Sequence, residues 1–353
     1  MKRRSLLLGA TLALPVGAVA VVADSGASDE EALRDVPELL RNSLPQPHQV
    51  LVALDLRPGI NSPSHAAREL SRVLRQNRRD GTRMGIGLGH GLFADASRRP
   101  RQLTMMPSFA GDVLNPAQSH GDALIQIAGS THQEVQAARE DVVAALTAWQ
   151  ARWQIVGFRA ENRTEYGKPL AMNPFHFQEG FGNASGDRGI ADRALVRADQ
   201  NEPAWAVGGS YQVVRIIRLA TELWDKDPVH EQERIIGRRR DGRWLDGTPT
   251  GDEPNFAADP AGRLTPLDSH VRRAAPDRRN PPPIVRRGYS YDRGHGDRGL
   301  IFSCFQRDLA AGFKTVQKRL AGEAMAKYQL TTGGGYFFVP PPGDAWIEAL
   351  FPA

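Results

Sequence analysis

The sequence predicts an α+β fold made of two similar units on antiparallel sheets. Three observations predict it. Strand-type alternation and helix-type spacing follow the order β-α-β-β-α-β over residues 49–158, and the same order returns over residues 210–340. The third is a Pro/Asp/Gly/Arg-rich stretch, 241–284, too long to be an idle loop in a compact domain.

In the first unit QVLVALDL (49–56) alternates as a strand, and residues 64–78 place Leu70, Val73 and Leu74 at helical spacing. MGIGLG (84–89) and ALIQIAG (123–129) read as the next two strands. Residues 132–150 read as a helix with Val135, Ala138, Val142, Leu146 and Trp149 on one face, and WQIVGF (153–158) closes the set. This order is the split unit of a ferredoxin-like fold. The second unit runs through a strand at 210–220, a short helix at 229–238 and strands at 286–291 and 299–305. It ends with a helix at 308–321, which carries Leu309, Phe313, Val316 and Leu320 on one face, and a strand at 336–340. Two such units with a long insert at their junction suggest a ligand held between them.

The 353 residues are 41% hydrophobic and 24% charged, which excludes wholesale disorder, a collagen-like chain and a multi-span membrane protein. The single cysteine, Cys304, excludes an intramolecular disulfide and a cysteine-cluster metal site. Residues 1–23 have a basic tip (Lys2, Arg3, Arg4), an apolar run and small residues Ala18 and Ala20 in cleavage-site spacing, which reads as a secretory signal. Arg3-Arg4-Ser5-Leu6-Leu7-Leu8 resembles a twin-arginine signal, the route for chains exported already folded by the twin-arginine machinery. An uncleaved membrane anchor is the weaker alternative, because Gly9, Pro15 and Gly17 interrupt a short run. Removing three positive charges from the formal +5 leaves +2, and the electrostatic case for nucleic acid disappears. The organisation expected is a signal at 1–23, a flexible tether at 24–44, an N-terminal unit at 45–165 and a C-terminal unit at 166–353.

The nine histidines form neither H-x-x-x-H nor H-E-x-x-H spacing, no G-x-S-x-G elbow occurs, and the glycines at 333–335 precede a strand rather than open a helix. A zinc hydrolase, a serine hydrolase and a phosphate cradle all lose their usual signals. His270 stands apart, inside the long insert and followed by Arg272, Arg273, Arg278 and Arg279. A neutral imidazole in such a setting suits a haem iron, with arginines available to its propionates; a surface histidine in a basic loop is the plain alternative.

The strings MPSFAGDVLNPAQSHGDALIQI, GGSYQVVRIIRL, EQERIIGRRR, LDSHVRRAAP, RRGYSYD, GLIFSCFQRDLAAGF and GGGYFFVPPPG occur in order through both halves. From Pro45 onward the chain resembles a dye-decolorising peroxidase of the secreted branch that includes deferrochelatase-type proteins. The resemblance implies two ferredoxin-like units in one chain and haem b in the C-terminal one. Hydrogen peroxide is the implied oxidant, bulky donors such as dyes and phenols the implied substrates, and nothing in the sequence excludes a homo-oligomer. It implies His270 as the axial metal ligand and Arg286, first of the R-R-G-Y-S string, as the distal arginine. It implies haem contacts from Gly180, Phe181, Gly182, Ala275, Pro276 and Asp277 beside those of His270 and Arg286, and, more weakly, a propionate contact from Arg215, for which a carboxylate partner on the sheet is the alternative.

At the distal acid this sequence departs from the family's G-x-x-D-G. Residues 176–180 place His176 where the first Gly stands and Glu179 where the Asp stands. A rival register puts Asn183 at the acid position but sets Ala184 where Gly belongs; Glu179 is favoured. A carboxylate there carries a proton between the peroxide oxygens, and a fixed guanidinium stabilises the charge that develops on them. The extra methylene of Glu179 shifts its reach by ~1.5 Å, enough to matter where geometry is tight. His176 would either share proton traffic or be packed or hydrated. A haem-handling, iron-releasing protein with residual peroxidase activity is the second reading, and a non-haem binding module that kept the scaffold is the third.

Overall fold

The computed structural model describes residues 36–41, 44–60, 62–93, 95–250 and 252–351. The signal expected at 1–23 lies outside them. The N-terminal half runs β1 (His48–Leu56), α1 (Pro63–Gln76), β2 (Arg83–Gly89), β3 (Ala123–Gly129), α2 (His132–Ala145) and β4 (Trp149–Phe158). A small sheet follows, made of β5 (Ala160–Glu165), β6 (Lys168–Met172) and β7 (Gln178–Glu179), then α3 (Gly186–Ala194). The C-terminal half contains β8 (Ser210–Leu219), α4 (Val229–Ile236), α5 (His270–Ala274), β9 (Val285–Arg286), β10 (Tyr289–Asp292), β11 (Arg298–Gln306), α6 (Thr315–Leu320) and β12 (Gln329–Val339).

Both halves have the predicted order, and each is antiparallel in the sequence fourth–first–third–second: β4-β1-β3-β2 and β12-β8-β11-β10. They do not sit as separate sheets. β2 pairs with β12 through Gly89↔Phe337 and Leu88↔Phe338, and β4 pairs with β10 through Phe158↔Ser290, so eight strands close into a barrel. Alternation then has a physical meaning. Leu51, Ala53, Leu124, Ile155, Val214 and Phe337 are buried in a cluster fed by both halves, while Val50, Val52 and Leu54 face the other way, toward Leu70, Val73, Val135 and Val142 of the helices. At the second seam Gly157 is required, because a Cβ there would lie 2.8 Å from both Tyr289 and Ile301. Buried amides and a hydroxyl cross between strands in a satisfied ladder, with Gln126 donating to Gln212 at 3.1 Å and Gln212 to Ser303 at 3.2 Å.

Five expectations change, the first being the helix expected at 308–321, which is regular only over Thr315–Leu320 because Gly312 breaks the preceding turn. The second helix stops at Ala145 and Trp149 opens β4, because the Glu69 carboxylate accepts from the N–H groups of Thr147 and Ala148 and pins a turn there. The last strand starts at Gln329, seven residues before the expected position; a bulge at Thr331–Gly333 and a left-handed Gly334 disguise it as a glycine loop. The strand expected at 286–291 is broken at Arg287 and Gly288 into β9 and β10. Finally, residues 36–41, expected within a tether, are packed: Val36 and Leu40 are buried against Ile190, Val285, Phe305 and Val339. Arg287 donates to the carbonyls of Leu40 and Arg41. The division expected between 165 and 166 falls at the tip of the β5–β6 hairpin, so the small sheet is common to both sides of it.

Candidate functional site

A cavity of about 330 Å³ lies beneath the C-terminal half of the barrel. Ile217 and Leu219 of β8 and Leu300 and Phe302 of β11 form its apolar floor, and the N-terminal half adds only Pro45, the 110–112 loop and Arg159. The ligand site expected between the units is therefore mostly a property of the second one. This follows from the barrel closure, which fills the space between the halves with side chains.

His270 is the first residue of α5 and lines this cavity. Its Nδ1 is 2.6 Å from Oε2 of Glu323, a nearly inaccessible carboxylate whose other oxygen accepts from Gln329 at 2.8 Å. With a carboxylate as acceptor, Nδ1 is the donor, which leaves Nε2 as the nitrogen available to a ligand. The basic run around it has other duties. Arg272 is buried and donates to the carbonyls of Phe256, Asp259 and Thr265, tying the insert together, and Arg273 donates to the Ala321 carbonyl. Arg278 lines the cavity but is paired with Glu253 at 2.6 Å.

The second cluster comes from the loop on either side of β7. The Asn173 side-chain oxygen accepts from the N–H groups of Phe175 and Phe177, which turns the chain into β7 and sets Glu179 on the cavity wall. Gly180, at φ +113°, is left-handed, and a Cβ on it would meet the Pro169 carbonyl at 2.4 Å. Phe181 packs under Arg238, whose guanidinium lies 4.1 Å from the ring centroids of both Phe181 and Trp244. Burial pushes Arg238 down to about 9, helped by the nearby Arg278. Gly182 leaves room for Arg286: a Cβ there would stand 2.5 Å from Nη2. Burial raises the Glu179 carboxyl above the usual carboxylate range, opposed by the charges of Arg159 and Arg286. Burial likewise lowers the Arg286 guanidinium, with Glu179 acting against it. The arrangement is a carboxyl able to change protonation state beside a fixed cation.

The structure thus brings Glu179, Gly180, Phe181, Gly182, His270, Ala275 and Arg286 to one cavity. It does not bring Pro276 or Asp277, both exposed: the Asp277 carboxylate accepts from Arg279 N–H and Asn280 and caps its own turn. His176 also points elsewhere, 54% exposed and 3.4 Å from the Asp225 carboxylate. Arg215 takes its carboxylate alternative, although from a loop and not from the sheet. It is buried against Asp112 at 2.6 Å, and the same guanidinium donates to Thr331. Two contributors escaped the sequence reading. Glu323 is a lone acid 53 positions after its histidine, with no spacing rule to mark it. Arg159, donating to the Gly288 carbonyl at 2.7 Å, directly follows the last strand of the first half and carries no motif.

The profiles of the Dyp-type peroxidase N-terminal and C-terminal domains match residues 13–159 and 171–344. The chain belongs to the Dyp-type peroxidase family. Among curated relatives of this Dyp-type peroxidase, the deferrochelatases of Escherichia coli K12 and Shigella flexneri are each 39% identical over 282 residues. Those matches span 74% of this chain and 66% of each relative's length. A crystal structure of a DyP-type peroxidase from Streptomyces coelicolor is similar with a TM-score of 0.80 at 27% identity, covering 91% of this chain and 96% of that one. Ferric DtpA from Streptomyces lividans is similar with a TM-score of 0.78 at 29% identity, covering 88% and 92%. Among the described residues of this Dyp-type peroxidase, no helix is long and apolar enough to cross a membrane.

Proposed function

We propose that this Dyp-type peroxidase binds haem b and uses hydrogen peroxide to oxidise bulky donors such as dyes and phenols. One observation carries the reading: a single cavity gathers His270, oriented by buried Glu323, with the carboxyl–guanidinium pair of Glu179 and Arg286. The donor set fits the group, since one imidazole keeps a free Nε2 and the walls combine apolar sheet residues with close-approaching glycine backbone. Haem bound there would supply the iron that takes peroxide and the electron acceptor for the donor. His270 would be its ligand, with Gly180, Phe181, Gly182 and Ala275 against the macrocycle. Glu179 accepts a proton from one peroxide oxygen and returns it to the other, while Arg286 holds the charge that develops. Ile217, Leu219, Leu300 and Phe302 keep bulk water from the reacting atoms.

A second reading, haem handling with release of iron, is supported by the name of the relatives at 39% identity. Both readings meet one experiment. Purified protein is expected to show a stoichiometric Soret band that changes within milliseconds to seconds of adding excess peroxide, with dye oxidation following. Appearance of metal-free porphyrin without peroxide, with a peroxide response no faster than free haemin, would overturn the first reading in favour of the second.

We also propose export by the twin-arginine route, supported by the paired arginines and apolar run of residues 1–23. Replacing Arg3 and Arg4 with Lys is expected to trap the precursor inside the cell, read by fractionation and immunoblot. Undiminished export of that variant would count against the route.

A further inference from the structure

We infer that Asn183 is the positioning residue for the catalytic guanidinium, acting as a one-residue substitute for a missing neighbouring strand; the inference rests on the role proposed above for Arg286. β9 is two residues long and pairs with β11 on one side only, at Cys304↔Arg286 and Phe305↔Val285. The backbone groups of Arg286 point to the open side. There the Asn183 carboxamide closes a ring with them: Nδ2 donates to the Arg286 carbonyl at 2.9 Å, and Oδ1 accepts from the Arg286 N–H at 2.8 Å. A primary amide carries a donor and an acceptor on one planar group, as a peptide unit does, so Asn matches an exposed strand edge. Asp offers the acceptor without the donor, and Ala offers neither.

The carboxamide is held as firmly as the backbone it holds. Asn183 is 6% exposed, and its own N–H donates to the Gly180 carbonyl at 3.1 Å. That places it four residues after Glu179 in one tight loop. The loop touches Arg286 twice, through the Asn183 amide on the backbone and through the Cβ-free face of Gly182 on the guanidinium. The relative position of carboxyl and guanidinium is thereby set within a five-residue segment. Among the described residues the Arg286 N–H donates to no other acceptor, whereas that of the next residue, Arg287, donates to the Ser303 carbonyl at 2.8 Å. The two alternative registers of the sequence thus resolve into two tasks: Glu179 presents the carboxyl, and Asn183 fixes its partner.

The test compares Asn183→Ala, Arg286→Leu and the double variant in haem-loaded protein. Asn183→Ala is expected to slow the peroxide reaction by ~10-fold to 10²-fold, the scale of a displacement approaching 1 Å. In the Arg286→Leu background the same change is expected to cost less than twofold, with donor KM and haem loading at parent values. In the haem-free protein, hydrogen exchange at the Arg286 amide is expected to accelerate selectively, with Arg287 unchanged. Asn183→Asp, which keeps the acceptor, is expected to leave that amide protected and supplies the folded comparison should the alanine variant not fold. Equal fold losses in both backgrounds, or a parent-like rate in Asn183→Ala with Arg286→Leu slow, would overturn the inference alone. A parent-like rate in Arg286→Leu would instead overturn the reading beneath it.

Discussion

Replacing Glu179 with glutamine is expected to leave haem loading intact while slowing the peroxide-dependent spectral change by ~10²–10⁴, the usual worth of a positioned acid–base group. Arg286→Leu is expected to slow it by a comparable ~10²–10³, through loss of a fixed charge. The pH dependence separates the two. A base must be ionised to take the proton, so the rate falls as pH drops through the Glu179 pKa. Burial has raised that pKa, so the fall begins at higher pH than for an exposed glutamate. Glu179→Gln removes this limb, and Arg286→Leu keeps it while shifting it upward, since a charge favouring the carboxylate is gone. Glu179→Asp restores the acid usual in the family and retracts it by one methylene, with a rate equal to or above the parent expected. Stopped-flow measurements of the four proteins against pH decide the matter. If Glu179→Gln reacts like the parent while Arg286→Leu is inert, the guanidinium alone drives the step and the acid assignment is wrong.

His270→Ala is expected to abolish stoichiometric haem loading. The cavity wall offers no second imidazole among the described residues, and the neighbouring cations are tied to carbonyls and carboxylates. Truncation also strands Glu323, a buried carboxylate left with Gln329 alone, so a loss of stability is expected alongside. His270→Ala with Glu323→Gln removes that stranded charge, and its recovery of stability without recovery of loading distinguishes ligation from packing. Haem titration followed at the Soret band, together with thermal unfolding, gives both readings. A five-coordinate, histidine-type spectrum persisting in His270→Ala would move the ligand elsewhere.

Much of the architecture was legible because a strand buried on both faces reads as a short apolar run, and 49–56 and 123–129 keep that signature without any knowledge of partners. Trp149 shows the limit. It satisfies a helical face and a strand start equally, and the deciding contact comes from Glu69, 80 positions earlier, beneath its turn. The start of the last strand was hidden for a related reason: Gly333–Gly335 look like a loop until the bulge against β8 explains why side chains are excluded, a Cβ on Gly334 falling 2.0 Å from the Val214 carbonyl. At the site, residues within contiguous strings were readable, and those acting across the fold were not. Glu323 and Arg159 reach the cavity from elements with no local reason to be there. Asp277 was named from the family resemblance alone, and a string cannot show that its carboxylate turns to Arg279 and Asn280, outside the cavity lining.

The closed ring of strands has a temporal consequence. Among the described residues, the only strand that pairs with the outer edge of β2 is β12, at Leu88 and Gly89, and the only one on that of β4 is β10, at Phe158. The first half is complete in sequence at Phe158, yet the Leu88–Gly89 end of its β2 edge stays unpaired until Phe337 and Phe338 have been made. At ordinary synthesis rates the intervening stretch of roughly 180 residues takes about 10–35 s. During that interval a nascent chain carries an exposed strand edge of the kind that recruits other chains. The vulnerable moment of this molecule is its birth on the ribosome, and slower elongation through the second half lengthens it.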